Sequence, residues 1–132
     1  MTTIEEHLKA CKFDNHFKKL TKKLKDKTIL IYGAGTLLQH IQKNYDLSEL
    51  NIIAISDGKY LPEQKGQTDL GYTIIPKDDL ESFNVDIVLL GLQNYVEVLC
   101  DFASGIYKNK NTKILPLVKI PTWKLLKDIW FN

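Results

Sequence analysis

Apolar residues along this chain fall into two rhythms. Up to about residue 25 they recur every three to four positions, as Ile4, Leu8 and Cys11 and then Phe17, Leu20 and Leu24. That is the spacing of one buried helix face, and it predicts helix over 3–25 in two pieces. Thr3 and Glu6 form a T-x-x-E capping box at the start, and Asp14 stands where it would cap the second piece. The other face of that piece carries Lys18, Lys19, Lys22, Lys23 and Lys25. It reads as the wet side of an amphipathic helix, with a patch for acidic partners or anionic lipid as the alternative.

From Lys27 onward, short continuous apolar runs alternate with helical periodicity. TILIY (28–32), NIIAIS (51–56) and DIVLLG (86–91) are β-branched, apolar on successive positions and short, as strands covered on both faces must be. A brief strand over 72–75, ending at Pro76, and KILPLV (113–118), where Pro116 favours a sheet edge, complete a set of five. Helices are expected over 35–45, 77–83 and 94–107, and a last one from a Thr122 cap through Trp123, Leu126, Ile129 and Trp130. Residues 57–72, dense in turn formers, read as a loop. This alternation predicts an α/β fold: a doubly wound, five-stranded parallel sheet in the order 3-2-1-4-5. An N-terminal helical extension over 1–27 precedes it, and the domain proper runs over 28–132.

Composition narrows the chemistry. At 132 residues the chain makes one domain with a core of its own. No apolar run is long enough to span a bilayer, and MTTIEEHLKACK lacks the apolar centre of a signal peptide, so a cytoplasmic protein is expected. Cys11 and Cys100 are far apart, and His7, His16 and His40 form no ligand pattern, so no metal site is expected. A net charge of +2 gives no ground for nucleic-acid binding. All 18 basic residues are lysine. Without arginine, the usual bidentate partner of phosphate, an anion site here must rely on backbone N–H groups and lysine.

In a doubly wound sheet, ligands bind beyond the carboxyl ends of the strands where their order reverses. Strand one delivers Gly33-Ala34-Gly35-Thr36 to that crevice, and strand four delivers Gly91 to Asn94. Gly33 and Gly35 fill the first two positions of G-x-G-x-x-G: one for the tight turn, one for close approach of a pyrophosphate to the helix N-terminus. Asp57 ends strand two, where the fingerprint places a carboxylate for a ribose diol. An aspartate there disfavours the 2′-phosphate of NADP, leaving NAD or a UDP-sugar. Leu38 holds the third glycine position and is expected to push the helix outward, since that glycine serves close helix–strand packing. No Tyr-x-x-x-Lys pair, P-loop or G-x-S-x-G elbow appears, so no catalytic constellation is visible.

Residues 28 to 118 resemble the small Rossmann-like domains of bacterial polysaccharide and nucleotide-sugar proteins. These stand at the front of sugar acyltransferases and in membrane-linked nucleotide-sugar epimerase/dehydratases, and are relatives of CoA-binding domains. The landmarks are YGAG (32–35), SDGK (56–59), KGQTDLGYTIIPKDDL (65–80) and DIVLLGLQNY (86–95), with Gly71, Ile74, Ile75, Pro76 and Leu80 forming the return to the sheet. The chain departs from the pattern at Leu38, at Gly58 in place of a second acidic residue, and in lacking hexapeptide repeats, which removes acyl transfer. The resemblance implies that Gly33, Gly35 and Asp57 contact nucleotide, with Asn94 toward its sugar or phosphate side. Ala34, Thr36 and Gly91 complete the candidate set. The expected function is thus a nucleotide-binding module, for NAD or a UDP-sugar, in nucleotide-sugar or surface-polysaccharide metabolism. Two alternatives stand beside it: a non-catalytic interaction domain, docking on a partner or a second copy through Trp123 and Trp130, or a fragment of a larger sugar-modifying enzyme.

Overall fold

The computed structural model describes residues 3 to 121. The expected helix with Trp123 and Trp130 lies outside them.

Four strands form the main sheet: β1 (Ile29–Tyr32), β2 (Ile52–Ser56), β5 (Ile87–Leu90) and β6 (Lys113–Pro116), ordered β2-β1-β5-β6 and all parallel. Their side chains separate by parity. Ile29, Ile31, Ile55 and Leu89 enter one core cluster, while Leu30, Tyr32, Ala54, Val88 and Leu90 enter another. Both sheet faces are therefore covered, which is why the strand sequences show no polar alternation. Helix α3 (Thr36–Asn44) packs Leu37, Leu38 and Ile41 into the first cluster, and α4 (Val96–Ser104) packs Phe102 into the second. The arrangement is doubly wound, as the alternation predicts.

The expected five-stranded sheet is corrected at its third strand. Beside β2 only one parallel bridge forms, Ile55 with Ile74. The chain there instead makes an antiparallel hairpin, β3 (Thr68–Asp69) with β4 (Tyr72–Thr73), inside what reads as loop. Backbone accounting gives the reason. Ile74 gives its N–H to Gln67 O (2.7 Å) and its carbonyl to Gly66 N (3.1 Å), leaving Ile75 N–H alone to reach Ile55 O (2.9 Å). Pro76 has no N–H to continue. The hairpin turns through Leu70 (φ 52°) and Gly71 (φ 86°), the doubly positive pair of a two-residue turn matched to strand twist. Leucine is unfavourable in that region, and Gln42 of α3 supports it by donating to Leu70 O at 2.9 Å. The expected helix after Pro76 is a 3-10 segment, Lys77–Ser82.

At the N-terminus α1 (Ile4–Ala10) and α2 (Phe13–Lys23) place Leu8, Phe13, Leu20 and Leu24 in the same cluster as α3. Thr3 caps α1 through the Glu6 N–H as expected. Asp14 does not cap α2; it lies inside the first turn and accepts a hydrogen bond from Tyr45 Oη, while left-handed Lys12 holds the cap position. The lysine face of α2 is exposed. On the open side of the sheet β6 is an edge strand, and the His16 ring lies 3.4 Å from its Pro116 carbonyl.

The opposite ends of β1 and β5 are clasped. Asp86 Oδ2 accepts from Thr28 N (2.9 Å) and Thr28 Oγ1 (3.1 Å), while Asp86 N donates to Thr28 Oγ1 (2.9 Å). These bonds favour the ionised carboxyl and hold it below its ordinary value. A carboxyl depressed by folding stabilises above its unfolded value of about 3.9 and loses that contribution as pH falls through the folded value. The stability gap between wild type and Asp86→Asn, measured by urea unfolding, should therefore be larger at pH 7 than at pH 3. A gap independent of pH would mean the clasp does not act through its charge.

Candidate functional site

The carboxyl ends of β1 and β5 meet through bare backbone. Gly33 has φ +115°, and a Cβ on it would lie 2.9 Å from Gly91 O and 2.8 Å from Leu92 Cδ2. A Cβ on Gly91 would lie 3.3 Å from Gly33 O. Gly33 is thus needed for the strand ends to touch, with or without a ligand, while a side chain on Gly91 would crowd Gly33 O.

Gly35 is of another kind. It holds the N-cap of α3 at φ −98°, open to any L residue, and a Cβ there would meet nothing within 4 Å. Gly35 and Thr36 are exposed, no side chain caps the helix, and their N–H groups make no hydrogen bond among the described residues. Unpaired donors at the positive end of a helix beside open space suit an anion.

Asp57, one residue past β2, closes over the same turn. Its Oδ2 accepts the Ala34 N–H at 2.7 Å, and its Oδ1 accepts the Lys59 N–H at 3.0 Å. The Lys59 ammonium then donates to Ala34 O at 3.0 Å and lies 5.6 Å from the Tyr60 ring centre. One peptide unit on each side of Ala34 is therefore held by a side chain of opposite sign. Beneath the turn, Gly33 N donates to Ser56 O at 2.8 Å, and the Ser56 hydroxyl is buried without a hydrogen-bond partner. Burial first, and then the Asp57 charge, raise the Tyr32 phenol above its ordinary value, opposed by a backbone hydrogen bond from Gly58. Tyr60, buried, donates to Asp69 at 2.6 Å; burial and that carboxylate raise its phenol strongly.

The structure thus brings together Gly33, Ala34, Gly35, Thr36 and Asp57, with Gly91 against Gly33. Asn94 lies three residues beyond Gly91, exposed, and its side chain makes no hydrogen bond among the described residues. From the sequence, Lys59 or Lys65 in the loop could neutralise charge, with solvent-exposed lysines as the bland reading; the hold of Lys59 on Ala34 O is a contact that spacing alone does not show. Leu38 is fully buried in the core cluster of α3, and a Cβ on Gly91 would meet Leu38 Cβ at an ordinary contact distance of 3.8 Å.

A groove of 640 Å³ lies away from this edge, lined by Lys9, Lys12, Phe13, His40 and Tyr45, and another of 370 Å³ lies at the Thr28–Asp86 end. Among the described residues no three His, Cys, Asp or Glu side chains group as a metal site. His7 and Cys11 share a buried helix face, with Sγ 3.8 Å from Nε2. No helix among the described residues is long and apolar enough to cross a membrane.

Residues 25–115 match the model of the family described as C2185-like, N-terminal, and the chain belongs to that family. No curated protein matches it. A chorismate mutase/shikimate 5-dehydrogenase fusion protein from Clostridium acetobutylicum is similar in structure at a TM-score of 0.44 and 14% identity, over 80% of this chain and 48% of that one. The chain thus spans about half the length of that protein.

The contrast between the two turn glycines is testable without a ligand. Gly33→Ala should lower unfolding free energy by about 2–3 kcal/mol, from positive-φ strain and backbone overlap. Leu38→Ala should lower it by about 2–5 kcal/mol as a cavity in the core. Gly35→Ala should leave it nearly unchanged. Urea unfolding of the three variants decides; equal losses at Gly33 and Gly35 would refute the distinction.

Proposed function

We propose that this member of the C2185-like N-terminal family is a nucleotide-binding module that takes NAD or a UDP-sugar at the carboxyl edge of its sheet. One observation carries the reading: Gly35 needs no glycine for its own conformation or packing, yet beside it lie free N–H groups and open space. A helix N-terminus left bare in this way gives a ligand room to approach it closely. Thr36 would add its hydroxyl, and the bound phosphates would lie over Gly33 to Thr36, with Gly91 and Asn94 on the far side of the crevice. Each Asp57 oxygen accepts one backbone N–H. A carboxylate offers about four acceptor positions, so capacity remains for a ribose diol. Its charge, in a chain with no arginine, favours NAD over NADP. The resemblance of residues 28 to 118 to nucleotide-sugar and polysaccharide proteins supports a role in that metabolism. The module is read as acting by binding, with any reaction belonging to a partner or a further domain.

A second reading has a specific observation behind it. Gly33 is accounted for by strand contact alone, and the Asp57 carboxylate is already engaged within the fold. Both facts suit a non-catalytic interaction domain that keeps the turn as scaffold.

Calorimetric titration with NAD, NADP, UDP-N-acetylglucosamine and CoA separates the two. NAD or UDP-N-acetylglucosamine should bind in the micromolar range, and Gly35→Ala, with wild-type stability, should weaken that binding at least tenfold, as should Asp57→Ala. Flat traces for all four ligands at millimolar concentration would overturn the nucleotide reading in favour of the scaffold.

A further inference from the structure

We infer that the exposed side of α2 and the edge strand β6 beside it form one basic face that docks on an anionic lipid surface. The inference is independent of the nucleotide reading. It begins from charge segregation. Residues 12–27 hold seven lysines against two aspartates, while the whole chain carries +2, so the remainder is acidic on balance. Taken by itself, that run is the wet side of an amphipathic helix. The fold adds lysines from the far end of the chain to the same side.

Two places join α2 to β6. Near the start of the strand, Lys23, Lys27 and Lys113 line one shallow groove of 150 Å³. Toward its end, the His16 ring lies 3.4 Å from Pro116 O, and Lys19 and Lys119 are near enough for their charges to act on the ring. Burial holds the imidazole below its ordinary value and those two ammonium groups add to that, while the Pro116 and Leu117 carbonyls oppose it. Lys19 and Lys23 are one helical turn apart, so the two places merge into a stripe along the strand. Lys18 and Lys22 continue it over the outer surface of the helix. All of these lysines are exposed, and among the described residues none makes an ion pair. Of the nearby carboxylates, Asp86 is engaged with Thr28, which leaves Asp26.

What the face lacks selects its partner. Without arginine it has no rigid fork for reading a single phosphate or carboxylate. The exposed large apolar side chains among the described residues, Ile53, Leu61 and Val96, stand on other elements. The stripe therefore offers no anchor for the core of a protein interface and no ring on which a base could stack. Flexible point charges of one sign, spread over a surface without a deep pocket, suit a partner whose opposite charges are spread in a plane. A bilayer leaflet with anionic headgroups is such a partner. The apolar face of α2 stays in the protein core through Phe13, Leu20 and Leu24, so the docking is peripheral and the helix does not insert.

The test sediments the full chain with vesicles of phosphatidylcholine, alone or mixed with phosphatidylserine, at low and high salt. Wild type should bind the mixed vesicles at low salt, release them at high salt and ignore phosphatidylcholine alone. Lys19→Glu with Lys23→Glu should weaken binding at least tenfold, and Lys113→Glu with Lys119→Glu should do the same. Lys43→Glu with Lys77→Glu makes the same change in net charge at exposed positions off the stripe and should bind like wild type. Thermal melts establish that each variant folds. Duplex DNA and poly-glutamate, titrated at low salt, test the other polyanion and a basic target of opposite kind. Equal losses in all three double variants would overturn the stripe in favour of net charge, and an unchanged Lys113/Lys119 variant would remove β6 from the face. Binding to DNA but not to the mixed vesicles would overturn the lipid assignment, as would no binding to the mixed vesicles at all.

Discussion

The contact on which the molecule turns is between the backbones of Gly33 and Gly91. Strands β1 and β5 lie at the centre of the sheet, and their carboxyl ends approach until Gly33 has no room for a side chain and Gly91 has little. From this closeness the rest of the edge follows. The chain leaves β1 at a positive φ, the turn delivers Ala34 into the reach of Asp57 and Lys59, and α3 starts with its first donors facing open space. Looser strand ends would free the glycines and dissolve the geometry of the turn. A ligand at this edge is therefore an addition to a structure that the protein needs in any case, which explains why fold and function are hard to separate here.

Much of the architecture was readable from the chain. The central strands were legible because a strand covered on both faces must be apolar at every position, a pattern few other structures demand of four or five residues. The third strand was misread because YTII has the right composition but its hydrogen bonds were already promised to residues 66 and 67, a competition that no one-dimensional pattern displays. The hairpin itself was hidden by Leu70, since a leucine gives no hint of a left-handed backbone, and the support from Gln42 comes from a helix far back in the chain. Asp14 was mistaken for a cap because the left-handed Lys12, not a capping side chain, sets where α2 begins.

At the site the legible part was spacing. Two glycines and an aspartate ending the next strand were visible as a set, and the fold does bring Asp57 onto the turn. What spacing could not convey was that glycine stands at 33 and 35 for different reasons, one steric within the protein and one with no internal cause. Nor could it show that a lysine stem would cross the loop to reach Ala34. Such facts depend on where two segments meet, and they become visible only when the neighbours of each residue are known.

Leu38 changes what holds the first crossover to the sheet. The third glycine of the fingerprint stands for close backbone packing of helix on strand, yet here a leucine fully buried in the core cluster fills that position. The seam between α3 and the sheet is therefore cemented by buried apolar surface. Anything that pried the helix from the strands would have to open the hydrophobic core before it reached the turn.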